Sequence, residues 1–169
     1  MKRVPFLFLA FLFLFPSLSL AKELPQIAPS SPAKARETAR DARFTAYDDG
    51  IVLDTRTNLM WAAKDNGNDI SRTNAKSYCE NYRGGGYTDW RMPTQDELAG
   101  LYDSSKNYRA TQRDYNVHLT ELIQLSGCCP WASEMRHADT ANFDFINGFR
   151  YWTHENAGDT RALPVRSVK

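Results

Sequence analysis

The chain has 169 residues, with 21 Lys and Arg against 20 Asp and Glu and a formal net charge of +1. That balance excludes a strongly basic nucleic-acid binder and an acidic tail protein, so electrostatic recognition must rest on a local patch.

The first segment reads as an export signal. Lys2 and Arg3 precede a run from Val4 to Phe15 rich in Phe and Leu, Pro16 and Ser17 break it, and Ser19-Leu20-Ala21 offers small residues for cleavage after Ala21. The run is shorter than a bilayer-spanning helix requires. The predicted destination is the periplasm or the exterior, with no stable membrane insertion after cleavage. Loss of Lys2 and Arg3 leaves 19 basic against 20 acidic residues. Residues 22–43, with Pro25, Pro29 and Pro32, read as a flexible linker in which Pro32 to Arg43 has at most a short surface helix. Residues 44–169 are long enough for one domain with one core.

Within that domain Phe44 to Tyr47 and Ile51 to Asp54 flank Asp49-Gly50, a hairpin signal, and Leu59 to Ala62 returns as a further strand. Leu53, Met60 and Trp61 are its core candidates. Ser71 caps a helix over about 72–82, with Ala75, Tyr78, Cys79 and Tyr82 on one face. Gly84-Gly85-Gly86 stops it. Thr94 and Glu97 have the spacing of a capping box, predicting a second helix over about 95–102 that buries Leu98 and Leu101. A polar, tyrosine-containing loop follows from Ser104 to Tyr115, then a short helical turn over 119–125. The remainder reads as strands over 131–133, 141–145, 149–152 and 161–168, with Asn147-Gly148 as a second hairpin signal. Strands, two helices, a long loop and an antiparallel sheet make an α+β fold.

Val52-Leu-Asp-Thr-Arg-Thr-Asn-Leu-Met-Trp61, Cys79, Gly86-Tyr-Thr-Asp-Trp-Arg-Met-Pro-Thr-Gln-Asp-Glu-Leu98, Tyr151-Trp152 and Pro164-Val-Arg166 occur in an order that resembles the Lcl C-terminal domain family. The resemblance covers about residues 44–168. It implies a C-type lectin-like domain, akin to the formylglycine-generating fold, with two helices, a twisted antiparallel sheet, and N- and C-terminal strands close together. It also implies adhesion or glycan binding as the activity. Lectin-like relatives often pair the first-helix cysteine with one near the C-terminus; Ser167 stands where that partner would fall.

The three cysteines leave alternatives open. Cys79 bridged to Cys128 or Cys129 would close a loop of about 50 residues and stabilise by roughly 4 kcal/mol. A vicinal Cys128–Cys129 bridge and a fully reduced chain are the others. The formylglycine-type oxidases bind copper through two separated thiolates, an arrangement that adjacent cysteines do not match.

Candidate ligand-binding residues are Lys106, Tyr108, Arg109 and Arg113 in the polar loop, joined by Arg136 and Arg150 on the sheet, with His137 and Arg161 as neighbours. Guanidinium groups pair with sulfate or carboxylate, and aromatic rings pack on sugar faces. Trp61, Trp90, Trp131 and Trp152 are core candidates. Asp65, Gly67 and Asp69 alternate, but the EF-hand glycine and glutamate are missing, so a polar loop is expected. His118, His137 and His154 lack metal spacing and read as surface residues. The residues call for no catalytic group, no metal and no cofactor. The expected function is an exported, non-catalytic module binding acidic or sulfated glycans. An envelope assembly protein, oligomeric or bound to another protein, is the alternative, and an oxidase a distant third.

Overall fold

The computed structural model describes residues 35–168, so the export signal, its cleavage site and most of the linker lie outside the described residues. The fold is α+β. Strands β1 (Glu37–Asp41), β2 (Phe44–Tyr47), β3 (Ile51–Asp54) and β4 (Leu59–Ala62) form an antiparallel meander, extended by β11 (Val165–Ser167) alongside β4. The N- and C-terminal strands thus share one sheet, with β1 and β11 at its opposite edges. A second sheet has the order β10-β7-β8-β9, from β7 (Cys129–Arg136), β8 (Asp139–Asp144), β9 (Phe149–Thr153) and β10 (Thr160–Arg161). Its β10–β7 pair is parallel. Helices α1 (Arg72–Asn81) and α2 (Gln95–Leu101) and a small hairpin, β5 (Tyr108–Arg109) and β6 (Asn116–Val117), complete it. Among the described residues no helix is long and apolar enough to cross a membrane.

Residues 37–41, read above as linker, form a strand. Its side chains face solvent, so it lacks the apolar alternation that marks a strand in sequence. It is held instead by its ladder to β2 and by Lys106, whose ammonium lies 2.6 Å from Asp41. Two further expectations change. Residues 119–125 form turns rather than a helical turn. The predicted strand over 161–168 is split between the two sheets at Ala162–Pro164, where Pro164 has no N–H to offer a ladder.

The main core joins both sheets and α2. Trp61, Leu98, Leu101, Phe143, Phe145, Leu163 and Val165 are fully or nearly fully buried. Leu53 and Met60 are only half-buried; Ile51 and Val52 take the interior of β3. A smaller cluster places Ala75 and Cys79 of α1 against Met92, Trp131 and Ala162. The local signals behave as expected. Ser71 caps α1, and Thr94 and Glu97 form a complete capping box on α2. The helix-stopping glycines place Gly85 and Gly86 at φ of 61° and 75°, and the Gly84 carbonyl accepts from Trp90 Nε1 at 3.2 Å. Residues 91–93 clasp the two sheets: Arg91 exchanges both backbone hydrogen bonds with Val165, and the Pro93 carbonyl accepts from Ser133 N–H at 2.8 Å.

The centre of the polar framework is Arg161, which is fully buried. Its Nε donates to Ser126 Oγ (2.6 Å) and its Nη1 to Asp69 (2.5 Å) and to the Thr160 carbonyl (3.0 Å). Asp65 accepts from Ser126 N–H at 2.6 Å and from Ser126 Oγ at 2.8 Å. Asp159 lies 3.6 Å from Nη2 and also accepts from Arg113 and Tyr115. Gly127 leaves the guanidinium its room, since a Cβ there would stand 2.6 Å from Cζ. The alternating acids of the 65–69 loop are thus spent on internal donors.

Removing one partner of a buried, hydrogen-bonded ion pair strands the others. Arg161→Met is expected to lower the unfolding free energy by about 3–5 kcal/mol, measured by urea denaturation; a loss below about 1 kcal/mol would show that the cluster behaves as a surface network. Acid should act on the same framework. Burial alone would raise the carboxyls of Asp69 and Glu97, but hydrogen bonds from Arg161 to the first and from Arg91 and Thr94 to the second outweigh it and hold both low. Their contribution is complete above the ordinary carboxylate value of about 4 and is lost as pH falls through the depressed folded values. A denaturation series in pH should show stability dropping below that point, with a shallower acid limb in Glu97→Gln.

Candidate functional site

The polar loop does not present its basic and aromatic residues on one face. Lys106 points to Asp41 at the rim of a cleft of about 480 Å³, which Arg43, Arg56, Tyr102 and Thr120 also line. Tyr108 is a structural phenol: its hydroxyl donates to the Ile123 carbonyl at 2.6 Å and accepts from Leu125 N–H at 2.9 Å, and burial pushes its ionisation upward. Arg109 pairs with exposed Asp114. Arg113 turns inward between Asp69 (3.1 Å) and Asp159 (3.0 Å), reinforcing the Arg161 cluster. Arg161, expected near the recognition loop, is the interior group described above. His118 is half-buried, with Nδ1 2.7 Å from the Lys106 carbonyl oxygen, while His137 and His154 are exposed.

Arg136 and Arg150 lie elsewhere, on the sheet edge formed by the ends of β7 and by β9. The edge strand Phe149-Arg-Tyr-Trp-Thr153 exposes its large side chains: Phe149 is 61% exposed, Tyr151 42% and Trp152 36%, with Met135 of β7 at 56%. Trp152, expected in the core, is therefore a surface residue; Trp61, Trp90 and Trp131 are buried. An edge strand has a neighbour on one side only, so β9 has too little cover to bury its rings. The Arg136 guanidinium stands 5.4 Å from the centre of the Trp152 ring, and no carboxylate among the described residues forms an ion pair with it. Arg150 pairs with Asp96 at the start of α2. Gln95 fixes the strand from behind, its Nε2 donating to the Asn142 (2.8 Å) and Tyr151 (3.1 Å) carbonyls. The edge offers an indole under a guanidinium on one face, and Phe149 with Tyr151, ring centres 6.4 Å apart, on the other. The sequence expectation for ligand-binding residues does not include Phe149, Tyr151, Trp152 or Met135. The closely spaced aromatics of the 149–152 strand were the available signal.

Cys128 and Cys129 are joined to each other, and Cys79 is a free, buried thiol. The Cys79 bridge is thus overturned: α1 turns this side chain into the small cluster beneath Trp131. Burial pushes its ionisation up to about 12.

The β-meander, the clasp at residues 91–93 and the closing β11 coincide with the motifs behind the resemblance. A family model for the Lcl C-terminal domain matches residues 50–168. The chain belongs to the Lcl C-terminal domain family. Comparison with curated proteins gives no match. The matched region begins after β2, so the β1–β2 hairpin precedes it.

Peptide mass spectrometry without reduction should find Cys128 and Cys129 linked within one peptide. Cys79 should resist iodoacetamide at pH 8 in the folded protein and react once it is unfolded; rapid native labelling of Cys79 would contradict its burial.

Proposed function

We propose that this protein is an exported, non-catalytic binding module of C-type lectin-like architecture, and that its β7–β9 edge recognises acidic or sulfated glycans. The observation that carries this reading is the stacking of Arg136 on the exposed Trp152, on a strand whose other face exposes Phe149 and Tyr151. Sugar rings present C–H faces that pack on aromatic surfaces, while a free guanidinium pairs with sulfate or carboxylate through two parallel hydrogen bonds. The near-neutral chain makes such a local pairing the available electrostatic handle. The polar cleft at Lys106 is a poorer candidate, because Lys106 and Arg43 are already paired with Asp41 and Asp54.

A second reading is an envelope assembly protein that docks by strand addition. It draws on the outer edge of β9, which has no strand neighbour among the described residues.

A glycan array at low and high salt tests the first reading. Retention of sulfated or uronic-acid glycans is expected at low salt and should fall as salt rises. Arg136→Ala and Trp152→Ala should each weaken binding by more than about 1 kcal/mol, the usual cost of a central interface anchor. Lys106→Ala should leave it unchanged. Binding that follows Lys106 instead would move the site to the cleft, and retention of no glycan at low salt would refute the reading.

A further inference from the structure

Adjacent residues of an extended strand point to opposite faces. Cys128 and Cys129 instead turn both sulfurs to one side, at the entry to β7. The facing strand brings a carboxylate to the same place. Trp131 pairs with Asn142, and the same register, continued two residues outward, sets Cys129 opposite Asp144. Phe145 N–H donates to the Cys128 carbonyl at 3.1 Å and holds that alignment to the end of the ladder. The two sulfurs and a carboxylate oxygen of Asp144 all lie within 4.8 Å of one another. Cys128 is buried, while Cys129 and Asp144 are half-buried and reachable from solvent. Asp144 is braced from behind: its oxygens accept from Ile146 N–H (2.7 Å) and Asn147 Nδ2 (3.1 Å), leaving further lone pairs for a cation. The second nearby carboxylate, Asp159, is 3.6 Å from the Cys128 sulfur but is committed to Arg113 and Tyr115.

We infer that the Cys128–Cys129 bond is a reducible lock on a three-donor site for a divalent cation of the zinc and cadmium class, with Asp144 as the oxygen ligand. The site opens by exchange with an external dithiol. A thiolate of the reductant attacks one sulfur, the Cys128–Cys129 bond breaks, and one cysteine is released as a thiol while the other is held in a mixed disulfide. The second reductant thiol then displaces that cysteine and closes the reductant's own disulfide. Two electrons and two protons have passed to the protein. Binding of the cation releases both thiol protons to solvent and leaves two thiolates, one carboxylate and one position for water, a donor set suited to a tetrahedral ion. The sheet register keeps Cys129 opposite Asp144 after reduction, and the cation, in place of the broken bond, holds the Cys128 sulfur on the same side.

The test uses the whole protein reduced with dithiothreitol, desalted without oxygen and titrated with cadmium. The expected result is one cadmium per chain with a sulfur-to-cadmium charge-transfer band in the ultraviolet, and no band in the unreduced protein. Asp144→Asn should weaken the affinity by at least about tenfold, and Cys129→Ser, which leaves a single thiolate, should at least halve the band. If Cys129→Ser fails to fold, as judged by near-ultraviolet circular dichroism, wild-type protein reduced and alkylated under native conditions replaces it. Absence of the band after reduction overturns the inference, whether the pair resists dithiol or the opened thiols hold no ion. So does a band of undiminished strength in Cys129→Ser or after alkylation, which would trace it to Cys79. An affinity unchanged in Asp144→Asn overturns the three-donor site.

Discussion

A guanidinium with no access to water organises the middle of this protein. Arg161 sits on the short parallel strand β10, and its charge is acceptable in the interior only because Asp69, Asp159, Asp65 and Ser126 surround it with oxygen. Those partners come from the loop after β4, the turn before β7 and the turn before β10. One side chain thus ties together segments that no regular ladder connects. Gly127 allows the close approach, and Arg113 and Tyr115 complete the shell from the polar loop. A loop composition that suggests ligand binding is in part the outer layer of this framework.

The exposed edge at β9 is positioned from the opposite side of the same sheet. β7 is central, flanked by β10 and β8, and β9 hangs on β8 as the outer strand. The capping box fixes the first turn of α2, which aims Gln95 at the backbone of β8 and β9. Rings that would otherwise move with a frayed edge are therefore held on a braced support.

Local chemistry made much of this fold legible. The capping box, Ser71 cap and glycine stop depend on residues a few positions apart, and the helices fall within one or two residues of expectation. The Asp-Gly hairpin and the Asn-Gly turn are likewise local, although the second turn is four residues long because Asp144 and Asn147 satisfy its backbone. What was not legible depends on distance. Arg161 bonds to Asp69, 92 positions earlier in sequence, and nothing near Arg161 reveals that it is interior. Trp152 looks like a core residue until β9 is known to be an edge. β1 carries no apolar face to announce it. The six candidate ligand residues scatter for the same reason: Tyr108 and Arg113 face inward, Lys106 is pinned to β1, Arg109 and Arg150 pair with Asp114 and Asp96, and Arg136 reaches Trp152 only through strand pairing.

The clasp at residues 91–93 also governs when the fold can be completed. β11 closes the first sheet by lying beside β4, and Val165 supplies the partner of Arg91. A chain synthesised from its N-terminus has made the meander and both helices long before residue 165 exists. Until then β4 lacks its outer neighbour and Arg91 has no strand to grip. The native arrangement must therefore form late, as a single event after most of the polypeptide is in place, and the waiting chain keeps apolar strands uncovered.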